Sequence, residues 1–164
     1  HVFMNLMSNF LSKKLISLNI KKGLKQNSLA NYKPYVIDQN LVFISGQLPI
    51  KEKVLLFSGK VGESISVEDT KNSIRMATYN LLWVLSDAMD EYKNVKQTKC
   101  INLKGYLNCM KNFEEHSLLF DTASDILVRI LGQESGSHSR SVIGVNSLPK
   151  NSPVEIDGIF SLKN

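Results

Sequence analysis

The residues that could do chemistry in this chain are few, and they gather at the ends of apolar runs. In GSHSRSVIGVNSLPKNSPVEIDGIF, residues 136–160, a lone arginine, Arg140, stands among Gly136, Ser137, His138, Ser139 and Ser141, directly ahead of an apolar run. Glu155 follows across a proline-bounded turn. The planar fork of a guanidinium suits two-point capture of a carboxylate. Upstream, FISGQLP places Ser45 at the end of another apolar run beside Gly46, a residue that lets backbone approach a ligand closely. His138 adds a titratable ring two residues before the arginine. A plainer reading competes: the turn SLPKNSP would fold the strand of Glu155 back beside that of Arg140, and opposite charges on neighbouring strands neutralise each other. Spacing and composition alone favour that ion pair over a ligand site.

Other catalytic signatures are missing. GKVG, residues 59–62, lacks the spacing and the following Ser or Thr of a phosphate cradle, and no G-x-S-x-G elbow occurs. Three histidines, one of them at the first position, do not make a metal site without several carboxylates. His116 falls on an apolar helical stripe and reads as a packed or rim histidine. Cys100 and Cys109 form neither a Cys-x-x-Cys motif nor a disulfide framework, which fits a reducing, cytoplasmic setting. Cys100 lies in a strand-like run, where a cysteine acts as a small hydrophobe.

These groups need strands and helices to hold them. Residues 33–62 predict three strands: Tyr35–Ile37 and Leu41–Ser45 flank the turn residues Asp38, Gln39 and Asn40 in a hairpin, and a third lies near Val54–Phe57. Gly46 and Pro49 end the second. Ser66 reads as the cap of a helix with Glu68 and Asp69 in its first turn. Ile74, Ala77, Leu81, Leu85 and Ala88 then share one face, with Tyr79 and Trp83 off its centre. VKQTKCINL predicts a strand. Asn112 reads as the cap of a second helix, whose Phe113, His116, Phe120, Ala123, Leu127 and Ile130 form a stripe that stops at Gly132. Val142–Asn146 and Val154–Phe160 complete a β-β-β-α-β-α-β-β order. That order implies an α+β layer with both helices on one face of the sheet. The other face, read as partly apolar from Val42, Ile44, Ile143 and Val145, calls for a partner, and a closed homo-oligomer would supply it.

A chain of 164 residues suits one compact domain, divided here into an arm with a short helix, residues 1–30, and a domain, residues 31–164. Residues His1 to Phe3 precede Met4 and are left out of the fold reading. Leu6, Phe10, Leu11, Leu15 and Leu18 give the arm an apolar stripe, so a helix docked on the domain is expected rather than an arginine-rich transit peptide. No run approaches the roughly 18 apolar residues of a membrane span. The net charge of +5 gathers in this arm, where Lys13, Lys14, Lys21, Lys22 and Lys25 precede the first acid, Asp38. The remainder is near neutral, and without zinc-finger spacing, an RNP-like pattern or a KH loop it argues against a nucleic-acid partner.

Taken together, KPYVIDQNLVFISGQLP, SHSRSVIGVNSLP and VEIDGIF resemble the RidA/YjgF family of reactive intermediate deaminases, over about residues 31–162. NYKP, GKVG and ASDILVRILG with SHSRSVIGV look like a longer, less characterised branch that carries an extra N-terminal helix. The resemblance implies a chorismate-mutase-like α+β fold and a homotrimer, with a central β-barrel and ligand clefts between subunits. It also implies hydrolysis of a small 2-imino or enamine acid to a 2-oxo acid and ammonia. In that picture Arg140 holds the carboxylate of the metabolite, Glu155 positions or activates water, and Tyr35, Ser45, Gly46 and His138 line the cleft. No metal or organic cofactor is implied. The sequence departs from the family pattern at His138, where a proline is usual, at Val142, where a cysteine is frequent, and at Lys33, where a glycine precedes Pro-Tyr. A cleft-facing Asn has no equivalent near Ser117. A non-catalytic carboxylate-binding trimer is the alternative, and ribonuclease a third reading.

Overall fold

Two apolar helical stripes and one alternating strand decide how this chain packs. In the computed structural model, which describes residues 8–24 and 31–164, the elements in chain order are α1 (Phe10–Ser17), β1 (Tyr35–Asp38), β2 (Leu41–Gln47), β3 (Ile50–Lys51), β4 (Val54–Leu55), α2 (Val67–Tyr92), β5 (Gln97–Asn108), α3 (His116–Leu131), α4 (Gln133–Gly136), β6 (Ser139–Val145), a 3-10 turn (Pro149–Asn151) and β7 (Val154–Lys163). On α2 the five stripe residues Ile74, Ala77, Leu81, Leu85 and Ala88 are fully buried. On α3, Phe120, Ala123 and Leu127 are too. Opposite them, β7 alternates with period two: Val154, Ile156, Phe160 and Leu162 are buried, whereas Glu155, Asp157, Ile159 and Ser161 between them are only partly so. Both long helices therefore cover one face of a five-stranded sheet, a mixed α+β architecture.

The sheet order is β1-β2-β7-β5-β6, antiparallel throughout except for the parallel pair β5 and β6. The β1–β2 hairpin turns at Gln39, in the left-handed region at φ 55°. The expected end of β2 at Gly46 is displaced, since the strand continues to Gln47 past an irregularity between Ile44 and Gln47. Three residue steps on β2 match two on β7 there, which is a bulge. The expected third strand near Val54 is a separate two-stranded ribbon of β3 and β4. Asn80 of α2 donates to the carbonyls of Leu48 and Ile50, both at 2.9 Å, and so holds this segment against the helix, outside the main sheet.

Ser66 caps α2 as expected, its hydroxyl accepting the Asp69 N–H at 3.1 Å. Asn112 does not cap α3. It occupies the preceding turn at φ 65°, and the helix starts at His116 after Glu115. The largest correction concerns β7, which does not pair with β6: β5 lies between them. The crossover through α3 returns the chain parallel to β5 along one of its edges, and β7 then takes the other edge while also joining β2.

The uncovered face carries Val36, Phe43 and Ile143, exposed by 52%, 42% and 52%; Ile159 is in register with Phe43 at one place on this face and Tyr106 with Ile143 at another. Val42 and Ile44, expected there, face the helices instead and are buried. At the N-terminal end α1 docks on α2 through the buried Leu11 and Leu15, whereas Phe10 and Leu18 of the expected stripe are exposed. Asn9 caps α1 and donates to the Ser86 carbonyl at 3.1 Å and to Asp90 at 2.7 Å. Leu6, Lys25 and the expected arm boundary at residue 30 lie outside the described residues. Among the described residues no helix is long and apolar enough to cross a membrane.

Candidate functional site

Arg140 sits on the edge strand β6, in register with the buried Leu103, and therefore points to the helix-covered face. There its Nη1 donates to Asp121 Oδ1 and to Ser124 Oγ, both at 3.0 Å, and its Nη2 donates to the Ser117 carbonyl at 3.2 Å. Ser117, Asp121 and Ser124 lie four and three residues apart on α3, which puts them on one stripe beside the apolar one. The side chain of Arg140 is 19% exposed and that of Asp121 57%. A guanidinium has five N–H donors. These three bonds to described residues leave one on Nη2 and one on Nε, adjacent donors that match the two oxygens of a carboxylate. His138 lies beside this group, with Nε2 at 2.9 Å from Ser124 Oγ and Nδ1 at 2.6 Å from the Gly136 carbonyl.

Glu155 occupies the opposite, open face of the sheet, where β7 presents it across from Tyr106 of β5. Gly46 makes room for it: a methyl group at position 46 would come within 2.8 Å of the Glu155 Cδ and Oε1. Burial, with the charge of Asp157 adding to it, lifts the Glu155 carboxyl above its ordinary range. The Tyr106 hydroxyl donates to Asp157 Oδ2 at 2.9 Å. Burial, followed by that bond and by the two nearby carboxylates, pushes the phenol up to about 12. Ser45, at the bulge, donates its hydroxyl to the Lys33 carbonyl at 2.6 Å and its N–H to the Pro34 carbonyl at 2.9 Å, so it clips the segment that leads into β1.

Tyr35 lies on the helix side of β1, in register with the buried Ile44. Its phenol is held above the ordinary range by burial and then by Glu91, Asp87 and Asp90 near the end of α2. A pocket of about 310 Å3 opens here, lined by Lys33, Pro34, Tyr35, Val36, Ile37 and Glu91.

The predicted site residues thus form three groups within one chain: Arg140 with His138; Glu155 with Gly46; and Tyr35 with Glu91, beside which Ser45 bonds to Lys33 and Pro34. The cross-strand ion pair expected between Arg140 and Glu155 does not form. Tyr106 pairs with Glu155 on one side and with Ile143 on the other, and Arg140 is three residues from Ile143, hence on the other face. Two strand spacings, about 10 Å, also separate β6 from β7. The partners of Arg140 were not foreseen, although the four- and three-residue spacing of Ser117, Asp121 and Ser124 next to the apolar stripe marks a polar helix edge. Asp157 was legible as well, since alternation puts it on the face of Glu155.

The chain is similar to known proteins in sequence and in fold. Residues 13–160 match the sequence model of the YjgF/chorismate mutase-like family, whose description also names endoribonuclease. A Shewanella oneidensis protein of known structure is 30% identical, with 94% of this chain and 100% of that chain covered and a TM-score of 0.83. The crystal structure of Atu1372 from Agrobacterium tumefaciens, a protein of unknown function, is 29% identical over 99% of this chain and 98% of that one, with a TM-score of 0.78. Protein TCP17 of Trypanosoma cruzi is 29% identical over 147 residues, which are 90% of this chain and 91% of TCP17. Sequence and fold agree along nearly the whole length, and the chain belongs to the YjgF/chorismate mutase-like family.

Proposed function

We propose that this protein is a hydrolytic deaminase of small, reactive 2-imino and enamine acids. It works as a homotrimer, its sheets facing a central barrel and its sites lying in the clefts between subunits. One observation carries the reading: a single chain holds a two-donor arginine edge and a raised carboxylate, but on opposite faces and at different strands. Neither half is a complete site, and a second copy supplies the missing half. The exposed apolar residues Val36, Phe43 and Ile143 on the uncovered face support such an assembly.

In that cleft the substrate carboxylate is held by Nε and Nη2 of Arg140. Glu155 positions a water against the imine carbon and takes its proton as the C–O bond forms. That proton passes to the nitrogen, giving a carbinolamine; its hydroxyl proton then goes by way of Glu155 to the nitrogen as the C=O bond forms and the C–N bond breaks, so that ammonia leaves and a 2-oxo acid remains. A carboxyl raised toward neutrality is suited to accept and return that proton. Orientation supplies much of the rate, because an imine is already electrophilic. Two free thiols, Cys100 and Cys109, suit a reducing cytoplasm as the site of action.

The test is ammonia release from 2-aminoacrylate generated in situ. The protein accelerates it, and Arg140→Ala abolishes the acceleration. Equal rates with and without protein would sink the catalytic reading. Stabilisation of the fold by a 2-oxo acid without turnover would instead identify a carboxylate-binding protein. The family description favours ribonuclease as a second reading, with the lysines of the arm as its contact. Lys22 of that arm, however, pairs with Asp87 and lies 5.7 Å from the centre of the Trp83 ring. RNA cleavage that survives Arg140→Ala would support it.

A further inference from the structure

We propose that His138 is a positioning residue for the carboxylate anchor: acting through the Ser124 hydroxyl, it sets which donors of Arg140 are left for the ligand. The inference rests on the reading of Arg140 as that anchor. It starts from a problem of geometry. Arg140 is a long side chain on an edge strand, and its ion pair with Asp121 involves a carboxylate more than half exposed, a weak tie in water. The Ser117 carbonyl is fixed by α3. The third contact, Ser124 Oγ, is a hydroxyl whose proton can rotate, and only its lone pairs accept from Nη1.

His138 removes that freedom. The Gly136 carbonyl can only accept, so at 2.6 Å the Nδ1 of the ring carries a proton. In the neutral ring Nε2 is then an acceptor, and at 2.9 Å it takes the Ser124 hydroxyl proton. The Ser124 lone pairs are left for Arg140. The result is a chain of donations in one direction, from Arg140 to Ser124 to His138 to the Gly136 carbonyl, in which each bond polarises the next. Its end point is rigid: Gly136 is buried, and a methyl group there would lie 2.5 Å from the Val128 Cα on α3. Asp121 and Ser124 together saturate Nη1, so the guanidinium presents Nε and Nη2. Without the acceptor at 138, the Ser124 proton can turn toward Nη1, two donors face each other, and the guanidinium loses its fixed orientation. His138 acts without touching the ligand.

The experiment titrates the full-length protein with 2-oxobutyrate by calorimetry, comparing wild type with Arg140→Ala, His138→Ala, His138→Gln and Ser124→Ala. The glutamine carbonyl can accept from Ser124 much as Nε2 does. Affinity is expected to fall about tenfold in His138→Ala and in Ser124→Ala, the scale of one hydrogen bond to a charged group. It returns to within about twofold of wild type in His138→Gln, and the double alanine variant is no weaker than either single one. Wild-type affinity in His138→Ala, with binding lost in Arg140→Ala, overturns the relay and leaves the anchor standing. Glutamine no better than alanine overturns the relay as well. Equal binding by wild type and Arg140→Ala removes the anchor and the relay with it. A readout on the wild-type protein needs neither ligand nor stable variants: nitrogen-15 spectra of the neutral His138 ring show the proton on Nδ1, and a proton on Nε2 overturns the proposal.

Discussion

Glu155 and Tyr106 stand directly opposite each other on adjacent antiparallel strands, yet the Tyr106 hydroxyl donates to Asp157, two residues along the same face, at 2.9 Å. The two carboxylates of this face are therefore unequal. Asp157 has a hydrogen-bond donor, while Glu155 is pressed against Gly46 and raised by burial and by Asp157.

That inequality predicts a pH-dependent stability. A carboxyl whose proton affinity is higher in the folded than in the unfolded chain binds more protons when folded, so the fold loses stability as the pH climbs from the ordinary carboxylate range through the raised value. Above that value the penalty is complete. Glu155→Gln carries no such charge and should melt at a higher temperature than wild type at neutral pH, with the difference closing as the pH falls below 4.5, the ordinary value for a glutamate. Thermal unfolding across this range checks it. A constant difference at all pH values would assign the effect to packing instead.

The uncovered sheet face predicts an oligomer that a single charge breaks. Ile143 is 52% exposed on the edge strand and shares its face with Tyr106. Ile143→Lys should leave the fold intact by circular dichroism, convert the proposed trimer to monomers by light scattering, and abolish the proposed ammonia release although Arg140 and Glu155 are untouched. A monomeric variant with full activity would contradict an intersubunit site.

Much of this arrangement is legible in the sequence. The stripes of α2 and α3 are repeated local signals, and Asp38, Gln39 and Asn40 mark a hairpin between adjacent segments. Strand order is another matter, because pairings between distant segments leave no periodic trace. The linker between Val145 and Val154 is short and bounded by prolines, so β6 and β7 read as neighbours when β5 in fact separates them. The same limit applied at the site. Arg140 stood out by its isolation, whereas its partners on α3 belong to another element, and their polar stripe acquires meaning only once β6 is placed beside it.

Packing between sheet and helices predicts a sharp loss at Gly105. The Phe120 ring of α3 occupies the space where a side chain at position 105 would begin, and both residues are buried. Gly105→Ala should destabilise the fold by about 1–3 kcal/mol through overpacking. Urea unfolding measures this, and a loss below about 0.5 kcal/mol would mean that the ring moves aside without strain.

The two cysteines predict a clean separation of thiol reactivity. Cys100, on β5 opposite Phe160 of β7, is fully buried, and burial pushes its thiol up to about 12, so neither access nor ionisation favours reaction. Cys109 is half-buried, 3.8 Å from His116 Nε2, and burial raises its thiol against the opposing positive charge of Lys60. A thiol reagent such as dithiobis(nitrobenzoate) should therefore modify Cys109 alone in the native protein and both cysteines in denaturant. Replacing Lys60 by Met should slow the native reaction at pH 8, because removing a nearby cation disfavours the thiolate. The same substitution removes the bonds from Lys60 to Asn108 at 2.8 Å and to the Asn146 carbonyl at 2.6 Å. A faster reaction would then show that loosening of the β5 and β6 ends outweighs the lost charge, and would identify Lys60 as a structural clip first.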